Sequence, residues 1–169
     1  GYMAVGIGFA TVTGLTGGIV HIFNHALIKG GLFLAMGSIF LRIGSVDIRD
    51  MRGIGRRMPL TMFAWVLGGL GLIGVPATAG FISKWYLIQA ALESDLWPVA
   101  ALMLISSLLA LVYVWRVIEV AYFLQPDRPV ERCEAPPLML IGTWVLIGAS
   151  LFFGVFTDYS AGVARRAAE

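Results

Sequence analysis

The chain has 169 residues, 59% of them hydrophobic and 13% charged, with a mean hydropathy of +0.86. A soluble domain of this length carries about twice that charge, so the composition is that of a polytopic helical membrane protein. A net charge of +2, with the basic residues in short loops, argues against a nucleic-acid partner. The single cysteine, Cys133, leaves no disulfide framework and no cysteine metal site within the chain.

In chain order, Gly1 to Ala10 reads as the end of a membrane helix, without a signal peptide and with the first methionine at position 3, as expected of part of a longer protein. Thr11 to Thr16 reads as a short polar turn without charges. A long helix follows from about Gly17 to Ile43, enough to span with tilt. Its glycines at 30, 31 and 37 suit close helix packing.

Within that helix, Ile19–Phe40 is apolar enough for a bilayer yet carries His21, His25 and Lys29. Their i, i+4, i+8 spacing puts all three on one side of the helix over ~12 Å. An ammonium near the middle of a hydrophobic span costs roughly 2.5–3.5 kcal/mol even on the lenient insertion scale. It is retained where it faces protein or water. One reading is a lysine paired structurally with a carboxylate; the other is a proton path. Two titratable histidines in line with the lysine favour the path.

Gly44 to Met58 is strongly polar, with Arg49, Arg52, Arg56 and Arg57 against Asp47 and Asp50, and reads as a membrane-boundary loop. Pro59 opens a third span to Val75, proline being tolerated at a helix start because its missing N–H has no helical partner there. Gly69-Leu70-Gly71-Leu72-Ile73-Gly74 satisfies the dinucleotide pattern G-x-G-x-x-G. No strand precedes it and Pro76 follows, so these glycines are read as helix-contact positions.

From Pro76 to Leu124 two readings compete. Ala77 to Leu92 is apolar but short for a crossing and is interrupted by Lys84; Glu93, Ser94 and Asp95 then precede a long apolar run from Leu96. Either two spans flank a small acidic loop, or one helix is discontinuous, with its polar break near Glu93–Trp97 or slightly earlier, around Lys84. A single pass places the two arginine-bearing loops, 44–58 and 125–135, on one side of the membrane, which favours the broken helix. Lys84, beside Trp85 and Tyr86, also has an interfacial reading. Arg116 and Glu119, at i, i+3, read as an interfacial pair snorkelling outward. Residues 125–135 form a second polar loop, with Pro126, Pro129 and Pro136-Pro137 as breakers. Pro136 to Phe156 is a last, uncharged span, and Thr157 to Glu169 a polar tail with Arg165 and Arg166. The expected fold is a single all-α transmembrane domain, residues 1–169, of about five or six membrane segments.

The segments HIFNHALIKGGLF and MPLTMFAWVLGGLGLIGVPATAGFISKWYLI, separated by the arginine-rich loop DIRDMRGIGRRMP and followed by SSLLALVYVWRVIEVAYF, resemble the antiporter-like family. This family holds the large membrane subunits of Mrp-type multisubunit cation/proton antiporters, the D-type above all, and the homologous proton-pumping subunits of respiratory complex I. The resemblance runs from about Gly1 to Pro126 and is looser over 136–156. It implies two inverted helical repeats, each with one broken helix, of which this chain would cover roughly the second, with its break in Pro76–Leu124. It also implies a polar axis across the membrane interior, with Lys29, His25 and His21 as one stretch and Lys84 as the broken-helix lysine. Glu93, Arg116 and Glu119 are secondary candidates, and neither glutamate can be placed beside Lys29 from sequence.

The function so implied is proton and monovalent-cation translocation within a multisubunit Na+(K+)/H+ antiporter. Alternatives are a proton-pumping membrane subunit of NADH-quinone oxidoreductase or of a membrane-bound hydrogenase, and a structural subunit without its own ion path. No resident cofactor or redox chemistry is expected in this chain; an oxidoreductase label would belong to a whole assembly. The expected partners are other membrane subunits, the lipid bilayer, protons and Na+ or K+, in a bacterial or archaeal cell membrane. The lysines would alternate in protonation as charges shift along the axis, because a low-dielectric interior and a neighbouring cation favour the neutral amine while a carboxylate or water favours the charged one.

Overall fold

The computed structural model describes residues 1–125 and 132–169; Pro126, Pro129 and the rest of 126–131 in the expected polar loop lie outside the described residues. Among the described residues the chain forms eight α-helices and no strand. These are α1 (Tyr2–Gly8), α2 (Val12–Ile43), α3 (Ile54–Arg57), α4 (Pro59–Ile73), α5 (Ala79–Glu93), α6 (Trp97–Ile118), α7 (Pro137–Val155) and α8 (Thr157–Ala168). A 3-10 turn at Ile48–Met51 and a π turn at Glu119–Phe123 complete the set. The protein is an all-helical polytopic membrane fold, and α2, α7 and the run Trp97–Phe123 are each long and apolar enough to cross a bilayer.

The central helix is α2, and it begins five residues earlier than the polarity of Thr11–Thr16 suggests. Thr11 is not part of a turn but the helix cap, its hydroxyl accepting the free Gly14 N–H at 3.1 Å. The reversal itself sits at Ala10, where φ is +50°. Gly44, in the left-handed region, ends the helix and returns its N–H to Phe40.

The neighbours of α2 define the topology. Gly17 lies against Tyr86 and Leu87, His21 against Ser83, Asn24 against Ala79, Ile28 against Gly71 and Leu32 against Gly68. The partner number falls steadily as one climbs α2, so α4 and α5 lie end to end as one interrupted pass antiparallel to α2. Fifteen residues of α-helix measure only ~22 Å against a hydrocarbon core of ~30 Å, so α4 and α5 complete the crossing together. The interruption is the segment 74–78. Gly74 closes α4 with φ +90°, Pro76 follows, and Ala77 is turned out of helix at φ +68°.

The expected single broken helix over 77–124 is not formed. Helix α5 runs unbroken through Lys84, and α5 and α6 are two helices flanking the acidic turn at Glu93–Asp95. The interrupted pass is instead α4 with α5, broken at 74–78. At the acidic turn α5 stops, Asp95 takes φ +56°, Leu96 donates its N–H to Ala91, and α6 runs back along α5 with Ala100 and Met103 packed on Leu87 and Ala91. The run 77–92 is short because its other half, α4, stands across Pro76. The parity expectation survives this repartition, since an interrupted pass plus α6 also returns the chain to its starting side. Gly53 N–H bonds Val120 O at 3.2 Å and Cys133 N–H bonds Arg57 O at 3.0 Å, so both polar loops meet at one end of the bundle.

Packing then follows the small residues. Gly30, Gly31 and Gly37 receive Leu146, Ile147 and Met139 of α7, and Gly69 and Gly71 of the G-x-G-x-x-G stretch receive Val114 and Ile28. At the break the approach is between backbones: a Cβ on Gly80 would overlap the Gly71 carbonyl, and one on Gly154 of α7 would overlap Thr78. The expected polar tail is the amphipathic helix α8, which buries Ala161 and Ala164 against Val20 and leaves Arg165 and Arg166 exposed.

Candidate functional site

The break creates the site. In an α-helix the carbonyl of residue i accepts the N–H of residue i+4. For Leu72 that residue is Pro76, which has no N–H; for Ile73 it is Ala77, which has left the helix. Two carbonyl oxygens thus stand free at the negative end of the α4 dipole. The Lys84 amine fills both. From the second turn of α5 its Nζ donates to Leu72 O at 3.0 Å, Ile73 O at 2.8 Å and the Ser107 hydroxyl of α6 at 2.8 Å. Three partners use all three ammonium protons. Lys84 is 9% exposed, and its Nζ also stands 5.4 Å from the Tyr2 ring centroid.

Beside it, His21 is 8% exposed and its Nδ1 lies 2.9 Å from the Ser83 hydroxyl. Ser83 gives its own proton to Gly80 O at 3.1 Å, so the network assigns the imidazole proton to His21 Nδ1 and leaves Nε2 as the acceptor. The His21 ring lies 5.1 Å from Tyr2 and 5.5 Å from His25. A cavity of about 190 Å³ joins these groups, lined by Tyr2, His21, His25, Lys84, Ser106 and Tyr113 among others, and has room for several waters. Two imidazoles, an amine and hydroxyls around water can hold and pass protons.

The structure brings His21, His25 and Lys84 to one cavity and leaves Lys29 one turn beyond it. Lys29 is half-buried, its amine 5.8 Å from the ring centroid of exposed Phe33, and among the described residues no carboxylate pairs with it. Glu93 is exposed at the α5–α6 turn, accepting from Gln89 at 3.0 Å. Arg116 and Glu119 pair with each other at 2.6 Å on the exposed surface by the π turn, the interfacial arrangement their spacing suggests. None of these three lines the cavity.

Ser83, Ser107, Tyr2 and Asn24 were not among the sequence candidates. Asn24, fully buried between the two histidines on α2, donates from Nδ2 to Ala79 O at 2.8 Å, which ties the first residue of α5 to α2. Its signal was legible as a carboxamide inside a membrane span. Ser107 gave less: a hydroxyl in an apolar run, 23 positions from the lysine it serves.

Comparison with known proteins agrees with this architecture. Residues 1–110 match the family model described as NADH:quinone oxidoreductase/Mrp antiporter, TM. NADH-quinone oxidoreductase subunit N of Desulforudis audaxviator is 40% identical over 94% of this chain and 34% of its own length. F(420)H(2) dehydrogenase subunit N of Methanosarcina mazei is 29% identical over 99% of this chain and 36% of its own. The chain thus spans about a third of the length of these relatives. The Mrp complex from Dietzia sp. DQ12-45-1b superimposes with a TM-score of 0.90 over 99% of this chain and 39% of that one, at 23% identity, a likeness of fold. A chain of the archaeal membrane-bound sulfane sulfur reductase gives 0.83 at 31% identity over 90% of this chain and 26% of its own. With the family model matched over more than half of its residues, this chain belongs to the NADH:quinone oxidoreductase/Mrp antiporter membrane family.

Proposed function

We propose that this chain carries part of a proton and monovalent-cation pathway in a membrane subunit of a multisubunit Mrp-type Na+(K+)/H+ antiporter, set in a bacterial or archaeal cell membrane. The observation that carries the reading is the Lys84 amine held on the broken end of α4, at membrane depth, on the same cavity as His21 and His25. Buried ionisable groups of this kind are expensive to keep in a bilayer and mark ion paths. Lys84 and Lys29 would hold the charge at its two stations, and His21 and His25 would relay protons between the cavity water and the amines. Glu93, Arg116 and Glu119 take no part.

A second reading, a proton pump powered by quinone chemistry elsewhere in an assembly, is favoured by the 40% identity to a subunit N. The deciding experiment uses the full-length protein in its own complex, reconstituted in proteoliposomes with an internal pH dye. Lys29→Ala and Lys84→Ala should each cut proton movement by about tenfold or more, while a purely structural role would leave wild-type flux. Proton movement driven by a Na+ or K+ gradient alone supports exchange; movement that requires an electron donor and quinone supports the pump.

A further inference from the structure

We infer that the cradle around Lys84 is a binding site for a monovalent cation of potassium's size, which enters when the lysine gives up its proton. The inference rests on the ion-path reading above and assigns it a place. Leu72 O, Ile73 O and Ser107 Oγ converge on one point at 2.8–3.0 Å, and that point is now filled by an ammonium. Each is a neutral oxygen, the ligand type that replaces the hydration shell of alkali cations. Two of them belong to an unwound helix C-terminus, whose dipole favours a positive charge. The Tyr2 ring closes the site with a π face 5.4 Å from the charge. A cradle spaced for an ammonium suits K+ or Rb+ better than the smaller Na+.

The exchange conserves charge. Lys84–NH3+ and an incoming cation give Lys84–NH2, the bound cation and a proton released to the cavity water. The neutral amine keeps a lone pair and becomes a fourth ligand. One positive charge occupies the site before and after, so the low-dielectric surroundings oppose the swap little, whereas simultaneous occupancy by ammonium and metal would set two cations in contact. The titratable side chains that share the cavity with Lys84 are His21 and His25 from α2, Tyr2 from α1 and Tyr113 from α6. The packed helix α4 contributes none. Among the described residues no carboxylate lines this cavity, and in the proposed exchange the lysine is the group whose proton the cation replaces.

The test measures binding of radioactive Rb+ to the purified complex across about pH 6 to 9, beside proton flux in the same proteoliposomes. Wild type should bind Rb+ at this site with a rising pH dependence, one proton released per cation, and K+ should compete better than Na+. Lys84→Met should bind Rb+ throughout that range with the pH dependence gone. Ser107→Ala should weaken binding by about tenfold or more, and Ser107→Thr should restore it, which also controls for folding. Absence of Rb+ binding at the site in wild type, or an unchanged pH dependence in Lys84→Met, overturns the inference. If proton flux still falls on replacing Lys84, the ion-path reading stands without the cation site; if flux survives that replacement, the ion-path reading falls as well.

Discussion

The two ends of α4 solve one problem in two solvents. At its start the Glu134 carboxylate accepts the Leu60 N–H at 2.6 Å and the Thr61 hydroxyl at 2.8 Å, an anion on the positive end of the helix dipole. At its finish the Lys84 ammonium caps Leu72 and Ile73, a cation on the negative end. Each charge complements the dipole, worth roughly 0.3–1 kcal/mol at a surface and up to ~2 kcal/mol when partly buried. The surroundings differ more than the geometry. Glu134 is half-buried in a boundary loop, anchored by Arg42 Nε on its carbonyl at 2.7 Å, where water can take over the free amides. Lys84 lies inside the interrupted pass, where an unsatisfied carbonyl costs several kcal/mol. The same capping device faces water at one end and lies inside the interrupted pass at the other.

That contrast breaks most visibly at Lys84. Lys84→Ala should abolish measurable ion translocation by the intact complex, a loss of about two orders of magnitude, while the protein still inserts and assembles. Translocation above a tenth of wild type would place the essential charge elsewhere, with Lys29 next in line. Gly80→Ala comes second. Its Cβ meets the Gly71 backbone carbonyl, so α5 must move away from α4. Overpacking of this kind costs about 1–3 kcal/mol, read as a lower unfolding temperature in detergent, together with slowed translocation because the Lys84 cradle is pulled apart. An unaltered melting temperature would show that the break is pliable.

Glu134→Gln tests the other end. Loss of the capping carboxylate should destabilise the fold by about 1 kcal/mol and leave translocation within about twofold of wild type. Equal losses of flux at Glu134 and Lys84 would erase the distinction between the two ends. The smallest effect belongs to the neighbouring loop. Two hydrogen bonds from the Arg49 guanidinium, at 3.0 and 3.2 Å, and one from the Arg49 amide hold the Asp47 carboxyl below the usual carboxylate range. A depressed acid contributes fully above its unfolded value of about 3.9 and loses that contribution as pH falls through the lower folded value. Amide exchange at Arg49 should therefore speed up relative to neighbouring amides only under strongly acidic conditions, and Asp47→Asn should remove that pH step.

The membrane class, the start of α4 at Pro59 and the line of His21, His25 and Lys29 on one helix were legible because composition, proline chemistry and helical periodicity are local. Lys84 was legible as a charge in an apolar run. Its partners were not, since Leu72 and Ile73 contribute main-chain oxygens that no side-chain pattern reports, and Ser107 reaches it only after α6 folds back. The position of the break is hidden from the sequence for a related reason. Glu93, Ser94 and Asp95 are the more polar interruption, and polarity alone does not distinguish a break at depth from a turn at a bundle end. The steady pairing of α2 with α5 and then α4 shows the acids at a bundle end and the uncharged residues 74–78 within the pass. Thr11 is ambiguous in the same way: a polar residue at a helix start caps as readily as it turns.

The missing N–H of Pro76 also shapes what genetics can detect in this region. Two of the three oxygens around the Lys84 amine are carried by the peptide chain itself and persist whatever side chain stands at position 72 or 73. Residue-by-residue scanning will therefore register the lysine and the serine and pass silently over most of the coordination sphere. Random mutagenesis for lost ion coupling should instead return position 76. Any other residue there can offer Leu72 a peptide N–H, letting the helix heal across the gap and withdrawing an oxygen that no substitution at its own position can remove.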